Sequence, residues 1–186
     1  MELPASLTAC EVGVCRLDFS SGGDLYAVVR TPESAHEDAP MALACWRDVL
    51  RRGRAAQREW LTPAVASRMR RDPNPDGSQH PTGWENYDLC GSIAACAGFV
   101  FLAEGQGCGV RVYRASDGLP VGRMWSEATP NSTVDDPAAF CAWDAGSEVR
   151  LSVTDFNGSA AALWRVAKSE LKRAAARAEH RALTGR

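Results

Sequence analysis

Lysine is almost absent from this chain of 186 residues, where only Lys168 and Lys172 stand beside 19 Arg. With Ala abundant, the imbalance reads as coding bias in a GC-rich genome, bacterial or viral, and carries no function by itself. Histidine is nearly as scarce: His36, His80 and His180 are the only three, which leaves few groups able to activate a Ser, Cys or Thr nucleophile. Neither a GxSxG elbow nor an HExxH helix is present, which excludes the common hydrolase and zinc-protease arrangements. No Asp, Glu and His spacing suits a metal, and the seven cysteines include no CxxC pair, so no metal or other cofactor is expected. The longest nearly uncharged apolar stretch, 89–103, contains Gly91, Ser92 and Gly98 and falls short of the about 20 residues that a membrane span needs. The first ten residues carry Glu2 and no basic region. No signal peptide is expected either, and the reading is a cytoplasmic protein.

What is present is ordinary for a globular chain. With 45% hydrophobic and 24% charged residues and a formal net charge of -2, the composition excludes disorder and a highly basic nucleic-acid coat. The length suits a single domain over 1–186. The net charge hides an asymmetry: residues 159–186 carry seven Lys+Arg against Glu170 and Glu179, net +5, which leaves -7 over the first 158. The odd cysteine count favours reduced, buried thiols over a disulfide framework.

Alternation over 10–19 and 25–30, around the turn residues Ser20 to Asp24, predicts an N-terminal hairpin. Met41, Ala42, Cys45, Trp46, Val49 and Leu50 recur at helical spacing and predict a helix over 41–52. Thr62 as N-cap with Pro63 at the first helical position predicts a second helix over 62–70. The stretch 72–83, with three prolines and two glycines, predicts a long loop. Residues 87–97 fit a short buried helix or a strand, while 99–102, 110–113 and 121–125 read as an antiparallel meander. Asp136 before Pro137 predicts a short helix through Trp143, followed by a strand over 148–154 and the longest helix over 160–182. The expected fold is α+β: a mainly antiparallel sheet, the N-terminal hairpin plus the central meander, packed with several helices and a long C-terminal amphipathic helix. That last helix, within 159–186, would project from the body or dock on it.

Positive charge gathers in two segments, one holding Arg51, Arg52, Arg54 and Arg58, the other Arg165, Lys168, Lys172, Arg173, Arg177 and Arg181. Either could give a basic face for nucleic acid, with phosphate contacts making binding salt-dependent. In the C-terminal helix an apolar stripe of Leu163, Ala167, Leu171, Ala174 and Ala178 would face the core, and no aromatic is interleaved with the basic face to stack a base. That favours a solvated face over a nucleic-acid arm. Trp84, between Gly83 and Glu85 beside the polar loop, is the tryptophan expected to be partly exposed, and exposed Trp is enriched at binding hot spots. Asp76, His80, Trp84 and Tyr87 therefore make up the candidate interaction segment. For catalysis the candidates reduce to His80 with Cys90 or Cys96.

The run Phe99 to Gly105, then Gly109 to Val121, then Asp136 to Phe140 is similar in rhythm to the sheet of SMI1/KNR4-like domains, which act by binding other proteins. No site residue is carried over from that resemblance. The expected function is a non-enzymatic protein-interaction or assembly domain with another protein as partner. The alternatives are a nucleic-acid-binding or nucleoprotein factor using the Arg-rich faces, and a small Cys/His-dependent enzyme.

Overall fold

The computed structural model describes residues 4–5, 14–30, 41–63, 92–103, 109–124, 137–155 and 161–185. Among them, strands form three antiparallel sheets in which every strand pairs with its neighbour in sequence. The first sheet holds β1 (Val14–Phe19), β2 (Leu25–Arg30), β3 (Met41–Trp46) and β4 (Arg58–Pro63). The second holds β5 (Ile93–Cys96), β6 (Phe99–Ala103), β7 (Val110–Arg114) and β8 (Pro120–Met124). The third holds β9 (Pro137–Asp144), β10 (Glu148–Asp155) and β11 (Ala161–Ala167), with β10 in the middle. Two helices are described, α1 (Val49–Arg52), which runs into a 3-10 turn at Gly53–Ala55, and α2 (Lys168–Thr184).

Side chains alternate across the second sheet, and both of its faces are apolar, so it must be covered twice. On one face Phe99, Phe101, Val110 and Val112 meet Val149, Leu151 and Val153 of β10 together with Leu171 and Ala175 of α2. On the other, Val100, Leu102 and Tyr113 meet Tyr26, Val28, Leu43 and Cys45 of the first sheet. Among the described residues these make three layers: the first sheet, the second sheet, and a layer in which the third sheet and α2 lie side by side; the far face of the first sheet is buried too, where Leu25, Ala27, Ala42, Ala44 and Trp46 pack with Val49 of α1. Burial of each large apolar side chain contributes roughly 1.5–3 kcal/mol, and Leu43, Val100, Phe101 and Leu151 are fully buried. Polar ties add register between layers. The Asp18 carboxylate on β1 accepts the Ala95 N–H of β5 at 2.8 Å, and Trp60 Nε1 and Thr62 Oγ1 donate to the carbonyls of Ala115 and Gly118 in the β7–β8 turn.

The expected fold with several helices packed on a sheet is overturned: the described architecture is mostly antiparallel sheet. Residues 41–46 are strand β3, and only Val49–Arg52 is helical. Every residue from Ala42 to Trp46 is buried, and a run apolar on both sides satisfies helical spacing and a fully covered strand alike. Thr62 and Pro63 close β4 instead of opening a helix, and Pro137 opens β9. Both prolines stand at the ends of edge strands, where a missing N–H disturbs no ladder. The predicted helix over 160–182 divides into β11 and α2. Residues 161–166 alternate exposed and half-buried, with Leu163 and Arg165 outward and Trp164 and Val166 inward. Of the predicted stripe, only Leu171, Ala174 and Ala178 are helical residues turned toward the core. No helix among the described residues is long and apolar enough to cross a membrane.

The helix α2 docks on the body rather than projecting from it. Leu171, Ala175 and Ala178 are buried, Glu179 pairs with Arg114 at the end of β7 at 2.9 Å, and Lys168 pairs with Asp144 of β9. The short turns of all three sheets gather at one end of the stack. The strands joined through 31–40, 64–91, 104–108, 125–136 and 156–160 begin and end at the other.

Candidate functional site

At the short-turn end the layers leave a cleft of about 570 Å³ between the β1–β2 turn, the β5–β6 turn, the β7–β8 turn and residues 142–144 of β9. Arg47, just after β3, spans it. Its guanidinium donates to Asp24 Oδ2 at 2.7 Å and to the carbonyls of Ala115 and Ser116 at 3.0 and 2.8 Å. Asp24 Oδ1 accepts the Asp48 N–H at 2.8 Å, so both carboxylate oxygens are bonded within the protein. Asp144, at the far wall, is lowered below its ordinary value by Lys168 and by the Gly146 N–H. The floor includes Ala97, which adopts a left-handed conformation at φ 52 beside Gly98 at φ 82.

The cleft is poorly equipped for nucleophilic chemistry. Burial raises the Cys96 thiol, with Asp144 adding to the effect, and a thiol held protonated is a weak nucleophile. In the core behind it, burial pushes the Cys45 thiol up to about 12 and also raises its hydrogen-bonded neighbour Tyr26. His180 is exposed on α2, far along the helix from Asp144 and Lys168. No group of three or more His, Cys, Asp or Glu that could hold a metal occurs among the described residues.

A different surface is built by the third sheet. The inward positions of β10 are Val149, Leu151 and Val153, so Arg150 and Ser152 face outward. The register sets Arg150 directly opposite Trp143 on one side and Arg165 on the other. The next outward row is Cys141, Ser152 and Leu163. Trp143 is 39% exposed and Leu163 54%, high for large apolar side chains that nothing functional requires to be wet. Since α2 covers the same face of the second sheet as β10 does, its solvent side continues this outward layer. It carries Lys172, Arg173, Arg177 and Arg181, all exposed. Arg150 pairs with Glu148 at 2.7 Å, whereas Arg165 and these four make no ion pair among the described residues.

The two Arg-rich segments of the sequence lie in different layers. Arg51 and Arg52 belong to α1 and approach Asp48, and Arg54 and Arg58 are exposed beside it on the first sheet. Arg165 stands on β11, and Lys172, Arg173, Arg177 and Arg181 on α2, while Lys168 is engaged by Asp144. Asp76, His80, Trp84, Tyr87 and Cys90 lie outside the described residues. Of the catalytic candidates, Cys96 alone is placed, at the end of β5 in the cleft wall. Sequence pattern does not single out Trp143 or Arg150. A helix over 136–143 hides which face Trp143 takes, and strand pairing, which the sequence does not state, is what brings it beside two arginines. No family model, no curated protein and no solved structure matches this chain.

Proposed function

We propose that this chain is a non-enzymatic interaction domain that engages an anionic partner through the outward layer of β9, β10, β11 and α2. One observation carries the reading: Arg165, Arg173 and Arg177 are exposed without a described ion pair in the layer of exposed Trp143 and Leu163, with Lys172 and Arg181 exposed on the two flanks of α2. Unpaired like charge on one face repels itself and is relieved by an opposite partner. Exposed apolar anchors supply the contact area that charge alone lacks. The raised thiols of Cys45 and Cys96 weigh against the Cys-dependent alternative.

Retention on immobilised heparin, a polyanion with no bases to stack, tests it. The native protein is expected to be retained at low salt and to elute earlier when Arg165→Glu and Arg173→Glu are combined. Arg54→Glu with Arg58→Glu, in the opposite layer, is expected to leave elution within a small shift of native. Flow-through of the native protein at low salt, or an equal loss from both pairs, overturns the reading.

A further inference from the structure

We infer that the anionic partner is single-stranded nucleic acid, laid across the outward face of the third sheet with a base stacked on Trp143; this rests on the reading above and names its ligand. The sequence presents a basic helical face with no aromatic among its charges. Strand pairing supplies the missing group. Trp143, Arg150 and Arg165 form one row across three strands, and at about 4.8 Å per strand the row spans roughly 10 Å. That is long enough for one nucleotide's base at the Trp143 end and a backbone phosphate at Arg165.

The chemistry of the row fits a strand of nucleic acid better than an acidic peptide. An indole offers a face to every base regardless of sequence, and single-strand binding surfaces combine such faces with a basic track for the backbone. The adjoining row of Cys141, Ser152 and Leu163 has no acidic side chain, so a backbone can cross it without repulsion. Beyond β11, Arg173 and Arg177 extend the cationic track along α2. A duplex keeps its bases stacked on one another and cannot offer one to Trp143. The same surface is therefore expected to prefer an unpaired strand.

Fluorescence anisotropy with labelled oligouridylate and oligothymidylate of roughly 12 nucleotides, within the span such surfaces cover, tests the inference. The two arms show whether RNA or DNA is preferred, and a duplex of the same length serves as comparison. Trp143→Ala is expected to weaken binding of one or both single strands between roughly 5-fold and 150-fold, the loss of one base stack, and Trp143→Phe to restore most of it. Arg165→Ala is expected to reduce the slope of log affinity against log salt by about 0.7, one phosphate contact on a single strand. Folding of each variant is checked by its thermal melt, and Trp143→Phe keeps the test meaningful if the alanine variant melts early. If Trp143→Ala and Trp143→Phe bind both strands as native does while heparin retention still depends on Arg165 and Arg173, the nucleic-acid inference falls and the anionic-partner reading stands. Tighter binding to poly-glutamate than to either strand also overturns it, in favour of an acidic protein. Failure of heparin retention removes both.

Discussion

Gly118, in the β7–β8 turn, sits at φ 73, and a Cβ built there would lie 2.7 Å from Trp60 Cε3 and closer still to Thr62 Oγ1. Both neighbours are committed, since Trp60 donates to Ala115 and Thr62 to Gly118 itself. Gly98, at φ 82, has nothing within 4 Å of the same position. Gly118→Ala is therefore expected to destabilise by about 2–4 kcal/mol, from the left-handed backbone and the overlap together, while Gly98→Ala costs only about 1–2 kcal/mol from the backbone alone. Urea melts of the two variants check the difference, and equal losses would show that the approach of Trp60 to the turn matters little. Such a position cannot be read from composition. A glycine between Asp117 and Leu119 announces a turn, but the reason it tolerates no side chain lies on β4, 55 or more residues away in sequence.

The elements that sequence pattern identifies correctly are those bounded by turn residues or marked by strict alternation. β2, β6, β7 and β10 stand where alternation or turn residues put them. The misread elements are of two kinds: β3, buried on both faces, and β4, β9 and β11, whose Pro or Ala content imitates helix signals. Ala161–Ala167 has strong helix formers, yet it pairs along its whole length with β10, because tertiary pairing overrides a weak intrinsic preference. The helix that follows is fastened by acids. Asp144 is lowered by Lys168 and Gly146, and Asp117 by Arg114, the same guanidinium that holds Glu179 of α2. Groups whose folded values lie below the ordinary 3.8 contribute stability that is present above about pH 4 and is lost as pH falls through the folded values. From these two acids, melting temperature is expected to fall modestly below about pH 4. Asp117→Asn is expected to cost less than about 1 kcal/mol near pH 6, as exposed pairs do, and to shrink the acid-induced drop. A variant that leaves the acid limb unchanged would remove Asp117 from the account.

Across the molecule, Arg47 joins what the sheets keep apart. Its partners are Asp24 in the β1–β2 turn and two carbonyls of the β7–β8 turn, so one side chain ties the first layer to the second. Arg47→Ala is expected to cost about 2–3 kcal/mol, the range for bonds to a charged group whose acceptors are then left unmatched. Arg47→Lys should recover only part of it, because an ammonium cannot span three acceptors in a fixed plane. Calorimetry of the Arg47→Ala protein reports whether the loss comes with a broadened transition, the sign that the first layer has begun to melt by itself; full recovery by Lys would refute the geometric part of the claim. The candidate surface was half legible: Arg165 and the α2 cations are visible in sequence, but their companion Trp143 is 22 residues upstream of Arg165 and reaches it only across β10.

The strictly sequential pairing of the three sheets has a consequence for how the chain is made. Contacts between strands close in sequence lower the mean separation that folding must bridge, and such topologies fold faster than sheets stitched from distant strands. During synthesis β1 to β4 can pair before β5 exists, and β5 to β8 before β9. The first two sheets can also stack before the third is made, and among these elements α2 follows them all and adds Leu171 and Ala175 to the core of Phe101 and Val112. Truncation before Lys168 would therefore strand an assembled but half-covered middle sheet, a sticky intermediate in which every hydrogen-bonded ladder is already complete.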